Sequence, residues 1–334
     1  MSSLHYPLVS ILVPVYQVEE YIERCARSLF EQTYDNLEFI FCDDCSTDAS
    51  ICVLEQVIKE YPKRERQIRI LHHNYNRGIS VARNTCLEAT LGDYFIYVDS
   101  DDKITADCIE KLVEPLSEKQ YDLVIGNIRT IGNDRLDRQL RLKLNDGDVL
   151  VGNNIIDTYR KYWNMVVYNK LCRTAFIQQQ SLKFKEGLFC CEDELWCFQV
   201  ACMAKSLRAV NRVTYIYIIR QNSITTSIDA KEKKQETLRV VVKEMRDFLM
   251  DRNIFSASAY WLVLYFFWRL LKPVKDNRKR FIEDYCHLRQ VTRFPLNYRI
   301  KAIGFHPKAL IQNLYYMMPS TIAARIIYLR NHIR

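Results

Sequence analysis

Apolar and polar positions change period repeatedly along the first two-thirds of the chain, and the changes predict strands alternating with helices. Leu8–Tyr16 is an almost unbroken run of branched residues, the pattern of a buried strand. Pro14 is expected to end it, because proline interrupts a sheet ladder. From Glu19 to Gln32 the apolar residues Tyr21, Ile22, Cys25, Leu29 and Phe30 recur at helical spacing. Leu37–Cys42, Ile68–Leu71, Tyr94–Val98 and Asp122–Ile125 read as further strands. Ser50–Tyr61, Ile79–Thr90 and Thr105–Lys119 read as the helices between them. Short connections of this kind favour an α/β, mostly parallel sheet with helices on both faces. Arg129–Gly152 is weakly patterned and reads as a loop or irregular hairpin, and Asn169–Ile177 as a short structured connection. Leu195–Met203 is helical, and Ala209–Ile219 is a last strand. After Asp229 long helical patterns take over, so the expected units are 1–229 and 230–334.

Charge sharpens that boundary. Residues 230–334 carry 21 Lys and Arg against 8 Asp and Glu, while the first 229 carry 27 against 32. An acidic body with a basic tail predicts a tail that meets something anionic. No apolar run approaches the roughly 18 residues a membrane-spanning helix needs. Met1–Tyr16 lacks a basic start and a cleavage site, so the 12 cysteines are expected to be reduced thiols of a cytoplasmic protein. Cys42/Cys45 have a CxxC spacing, but no second pair or histidine lies at zinc-site distance.

The chemistry concentrates where strands end. Tyr94–Val98 runs into Asp99-Ser100-Asp101-Asp102, and Leu37–Cys42 runs into Asp43-Asp44. Clustered carboxylates repel one another, and an oxygen-binding cation such as Mg²⁺ or Mn²⁺ relieves them. A solvated helix cap is the plainer alternative for the first cluster. In parallel sheets, ligands bind beyond the carboxyl ends of strands, so both clusters can face one ligand. Glu192-Asp193-Glu194 opens a helix, where acids also suit the helix dipole.

Seven stretches in order resemble the inverting glycosyltransferases of family 2, which have the GT-A fold. They are Pro14-Val15-Tyr16-Gln17, Ser28 to Thr33, Asp43 to Asp48, Asn76 to Asn84, Asp99 to Asp102, Glu192-Asp193 and Tyr215 to Ile224. Gln17 stands where the family has Asn, and Cys45 where it has Gly; a positive φ there would strain Cys45. The resemblance implies transfer of a sugar from a nucleoside diphosphate sugar, UDP-type favoured, to an acceptor hydroxyl. It implies Asp101 as metal ligand, with Asp99 and Ser100 supporting the metal or ribose. Asp44 would accept from the base, Pro14 and Tyr16 would flank it, and Arg83 would meet the nucleotide electrostatically. Asp193 would be the general base, tuned by Glu192 or Glu194, and Arg220 with Ser223 would close over the diphosphate.

The same resemblance implies cell-surface polysaccharide synthesis on a glycan or lipid-linked acceptor. A polyprenyl-phosphate sugar synthase and a catalytically inactive adaptor are the alternatives. Tyr260–Trp268 sets aromatics beside Arg269 and further cations. That suits peripheral attachment to the inner face of the plasma membrane, and it equally suits a core helix with a solvated basic face. Nucleic acid is not an expected partner, since no recognition motif accompanies the charge.

Overall fold

The computed structural model describes residues 6–159, 164–219, 230–271, 277–303 and 318–332. The chain divides into two compact units: residues 1–188 with 192–223, and residues 189–191 with 224–334.

The first unit is built on one sheet. Its strands are β1 Val9–Val15, β2 Leu37–Asp43, β3 Ile68–His72, β4 Tyr94–Tyr97, β5 Lys103–Ile104, β6 Leu123–Ile131, β7 Val149–Val151, β8 Lys170–Arg173 and β9 Ser206–Ile218. The order is β3-β2-β1-β4-β8-β6-β9-β5, with β7 also against β9. The strands β3, β2, β1 and β4 are parallel, as is the β6/β9 pair. Antiparallel pairs enter at β4/β8, β8/β6, β9/β5 and β9/β7. Every residue of β1 and β2 is buried, which is why both read as largely apolar runs; the buried Ser10 of β1 and Glu38 of β2 bond each other.

Pro14 does not end β1 but pairs with Cys42, one residue before the strand stops. Val98 N–H donates to Leu12 O on one side of β1, and Asp44 N–H donates to Val15 O on the other. By alternation, the missing N–H of Pro14 faces the side where β4 has already finished, so no ladder bond is lost.

Helix α1 (Ile22–Phe30) buries Ile22, Cys25, Ala26, Leu29 and Phe30, the i, i+3, i+4, i+7, i+8 stripe expected of it. Helices α2 (Ser50–Glu60) and α3 (Ile79–Glu88) follow β2 and β3. The helix expected over Thr105–Lys119 is α4 (Cys108–Val113) followed by a 3₁₀ turn that begins at Glu114, beside Pro115.

Two sequence readings are corrected here. Arg129–Gly152 is not a loop: β6 runs on to Ile131, then α5 (Asp134–Leu140) and β7 follow. Asn133 caps α5 by accepting from Leu136 N–H. Asn169–Ile177 is not a mere connection either. It holds β8, an inner strand of the sheet, and α7 (Thr174–Gln179), which follows the short α6 (Asn153–Thr158). Lys170 hid that strand. It is 1% exposed, and its ammonium is satisfied by Asn164 Oδ1, Asn169 Oδ1 and the Val166 carbonyl. Burial still pushes its pKa below the ordinary lysine value.

The second unit is helical over its described residues. Its main elements are α9 (Ala230–Asp251), α10 (Ala257–Leu271), α11 (Arg278–Val291), Leu296–Ile303 and Ser320–His332. In α10, Tyr260, Val263, Leu264, Phe266 and Phe267 are buried. Phe267 packs edge-on against Tyr285 of α11, with ring centroids 5.5 Å apart. The Tyr260–Trp268 run is therefore the core of its unit rather than an aromatic belt at a membrane interface.

Candidate active site

The turn after β4 is braced from three sides. Asp102 N–H donates back to Asp99 O, closing the turn. Asp102 itself is fully buried, where its carboxylate accepts from Tyr215 Oη at 2.7 Å and from Ile218 N–H at 2.8 Å. The same Tyr215 hydroxyl accepts from Asp99 N–H at 3.2 Å. From α1, Arg24 Nη2 donates to the Asp101 carbonyl at 2.6 Å. Asp102 is thus an anchor between β4 and β9 rather than a solvated cap. Burial, then the charges of Asp99 and Asp101, push its pKa up to about 8.

Asp99 and Asp101 are both partly exposed at this turn, and Ser100 between them is 6% exposed. Among the described residues, no group of three metal-ligating side chains forms a closed cage. The donor set is two carboxylates whose charge already burdens the neighbouring Asp102. That matches Mg²⁺ or Mn²⁺, which take hard oxygens and share their shell with phosphate.

The second cluster opens α8 (Glu192–Met203), so its three acids lie in a first turn, where the helix dipole favours negative charge. Glu192 accepts from Arg83 Nη1 at 2.7 Å, and Arg83 Nη2 reaches Asp99 at 3.0 Å. One guanidinium on α3 therefore joins two acidic clusters that are 93 residues apart in sequence. Arg83 is 4% exposed. Burial works to lower its pKa, but Asp99, Glu192 and Asp193 outweigh it and keep the cation charged.

Asp193 takes a hydrogen bond from the Glu194 amide at 2.7 Å, its one donor among the described residues. Burial first, then the charges of Glu192 and Glu194, hold its pKa well above the usual carboxylate range, against the pull of Arg83. Tyr168 is near enough to both clusters to feel their charge. Its hydroxyl is pushed up by burial, then by Asp102, Asp99, Tyr217 and Asp193. Its ring stacks on Tyr215 at 4.3 Å.

The Arg83-Asn84 pair divides its work. Asn84 exchanges two hydrogen bonds with the Phe184 backbone, at 2.9 and 2.8 Å. Phe184 in turn stacks on Trp196 of α8 and lies 5.3 Å from the Arg83 guanidinium. Asn84 thereby ties α3 to the segment leading into α8, which sets where Arg83 meets Glu192.

At the ends of β1 and β2, Pro14 is buried and Tyr16 is 46% exposed. Asp44 is 3% exposed and accepts from Arg77 N–H, Gly78 N–H and His73 Nδ1, all within 2.8 Å. Three bonds leave one of roughly four carboxylate acceptor positions for another donor. Gly78 has φ +87°, and its amide meets Asp44 from a conformation costly to other residues. Both departures from the family pattern occupy the left-handed region, Gln17 at φ 51° and Cys45 at φ 63°. The longer Gln17 amide reaches Thr47 Oγ1 at 2.7 Å.

Arg83 contacts both Asp99 and Glu192, with Ser100, Asp101 and Asp193 adjoining these acids in the chain. Asp44, Pro14 and Tyr16 form a second group at the ends of β1 and β2. Arg220 and Ser223 lie outside the described residues. Sequence reasoning missed Arg24, Tyr168 and the bracing role of Tyr215. Tyr215-x-Tyr217 was visible as a motif, but only the pairing of β9 with β5 brings it under the acidic turn.

Residues 10–183, just over half of the chain, match the sequence model of glycosyl transferase family 2. The chain belongs to that family. It is 30% identical over 223 residues to the uncharacterized glycosyltransferase EpsJ of Bacillus subtilis, covering 66% of this chain and 63% of the relative. It spans less than two-thirds of the length of this and other curated relatives. Among solved structures it resembles S. aureus TarS (residues 1–349) in complex with UDP-GlcNAc, with TM-score 0.73, 18% identity and 97% and 91% of the two chains covered. It also resembles the mannosyltransferase PcManGT of Pyrobaculum calidifontis in complex with GDP-Man and Mn²⁺, with TM-score 0.52, 15% identity and 97% and 88% covered. The fold is GT-A.

Proposed function

We propose that this protein is an inverting, metal-dependent glycosyltransferase that moves a sugar from a UDP-type donor to an acceptor hydroxyl. The observation that carries the reading is the Arg83 bridge, which puts a cation-suited acidic turn beside a carboxylate of raised pKa. The donor class draws support from the fold likeness to TarS, solved with UDP-GlcNAc, and the metal from PcManGT, solved with Mn²⁺.

Asp101 and Asp99 would hold Mg²⁺ or Mn²⁺ together with the donor diphosphate. When bound, that ion supplies Lewis-acid stabilisation of the charge developing on the leaving phosphate. Asp44 would accept from the ring N–H of the base, with Pro14 and Tyr16 flanking it and Ser100 near the ribose. Arg83 would act on the donor through its field, because it is buried and its two terminal nitrogens each hold a carboxylate. Asp193 would take the acceptor proton as the hydroxyl attacks the anomeric carbon. A raised pKa makes it the stronger base, and its second oxygen has no donor among the described residues. Attack in line with the departing diphosphate inverts the centre without a covalent intermediate.

The acceptor is proposed to be a glycan or lipid-linked sugar of cell-surface polysaccharide synthesis, handled by a cytoplasmic protein at the inner face of the plasma membrane. No described helix is long and apolar enough to cross a membrane. An inactive adaptor would have no use for a buried guanidinium shared between two acidic clusters, with an acid of raised pKa beside it. Incubation with UDP-sugars and Mn²⁺ tests the reading: metal-dependent release of UDP supports it, and no release from any donor refutes it.

A further inference from the structure

The charge and the exposed apolar area of the second unit converge on its last described helix. After Asp284 the sequence holds no acidic residue, while eight Lys and Arg follow. Ser320–His332 buries Ala323, Ala324 and Ile327 on one face. On the opposite face Ile322 is 50% exposed, Ile326 39% and Leu329 50%, with exposed Arg325 among them. These are i, i+4, i+7 positions, so the aliphatics form a stripe. Leu296–Ile303 repeats the pattern: Leu296 is 56% exposed and Ile300 66%, with exposed Lys301 alongside. Among the described residues of this unit, five large aliphatics on these two helices are exposed in water, and apolar area left exposed in this way marks an interaction surface.

We propose that the Ile322–Ile326–Leu329 face of Ser320–His332 lies on an anionic lipid surface. The aliphatics would enter the headgroup boundary, with Arg325 meeting lipid phosphates. Protein partners favour anchors such as Trp, Tyr and Arg in a desolvated centre, and Leu is under-represented there. An acid-free stretch with bare Ile and Leu matches lipid better. The inference deepens the membrane part of the proposed function by naming a surface, and it is independent of the sugar chemistry.

Sedimentation of the full chain with vesicles tests it. The protein should pellet with phosphatidylglycerol–phosphatidylcholine vesicles, and high salt should weaken the binding. Replacing Ile322, Ile326 and Leu329 together by Ser should lower vesicle affinity about tenfold or more. Arg325→Gln should lower it about fivefold, the effect of one basic residue near an anionic surface. Ile326→Glu, a single change at an exposed position, should act in the same direction and guards against misfolding of the triple variant. UDP affinity should stay native in all three variants, which separates loss of this surface from failure of the donor site. Absence of vesicle binding by the parent chain overturns the proposal. So does a dimer that the triple variant dissolves without any change in vesicle binding.

Discussion

Asp102 and Asp193 each sit beside two further acids, yet the fold treats them in opposite ways. Asp102 is given a phenol and a backbone amide from β9, and its place in the sheet is fixed. Asp193 receives the amide of Glu194 and, among the described residues, no other donor. The first arrangement spends hydrogen bonds to hold a turn still while Asp99 and Asp101 remain partly exposed. The second leaves a carboxylate under-satisfied, with its proton affinity raised by burial and neighbouring charge. Rigidity suits a donor site and basicity suits a proton acceptor. Arg83 belongs to both clusters, through Asp99 and Glu192.

The largest effect expected from breaking this contrast is on turnover. Asp193→Asn should lower sugar transfer by about 10²- to 10⁴-fold, as for loss of a general base. Steady-state kinetics would show the loss in kcat, and a loss carried by a rise in KM alone would contradict the assignment.

Removing the bridge should damage the fold next. Arg83→Met leaves Glu192 and Asp99 facing each other with no cation between them. Breaking a buried ion pair in this way costs about 3–5 kcal/mol, measurable by urea unfolding. A change under 1 kcal/mol would mean that the clusters do not depend on Arg83.

A subtler change moves only the pH dependence. Asp193 must be ionised to act, so activity should fall as pH drops through its raised pKa. Glu192→Gln removes a charge that raises Asp193 and releases Arg83 to lower it further. The acid limb of kcat/KM should therefore shift to lower pH. A shift to higher pH would reverse the assigned electrostatics.

The smallest effect lies at the donor end. Cys45 occupies a left-handed conformation with φ 63°, which costs a residue with a side chain about 1–2 kcal/mol. Glycine gives back part of this as unfolded-state entropy. Cys45→Gly should then stabilise the protein by roughly 0.5–1 kcal/mol in thermal unfolding, and destabilisation would show that the thiol has an unseen packing role.

Much of this was legible in the residues. The runs of β1, β2 and β4 and the stripe of α1 follow from burial on one or both faces, and each strand end carried its acids openly. What escaped were elements whose polar residues are satisfied only in three dimensions. Lys170 made β8 look like a connection, since nothing in the sequence says that Asn164, Val166 and Asn169 surround its ammonium. Arg129 and Thr130 disguised the far end of β6, where Arg129 is exposed and the buried Thr130 meets Asp137 through its backbone N–H. The aromatic run of α10 had two readings because periodicity gives a helix its apolar face but not what covers that face. The acidic motifs marked the site, while the guanidinium joining them required α3 to be stitched to the α8 approach through Asn84 and Phe184.

The central claim is that the two acidic clusters divide donor binding from proton transfer. Calorimetric titration of UDP into the protein with Mn²⁺, and again with a chelator, tests it on the parent chain, Asp101→Asn and Asp193→Asn. The account predicts tight, metal-dependent binding by the parent and by Asp193→Asn, and loss of the metal-dependent part in Asp101→Asn. Equal affinity with and without chelator in the parent chain, or loss of UDP binding in Asp193→Asn, would contradict it.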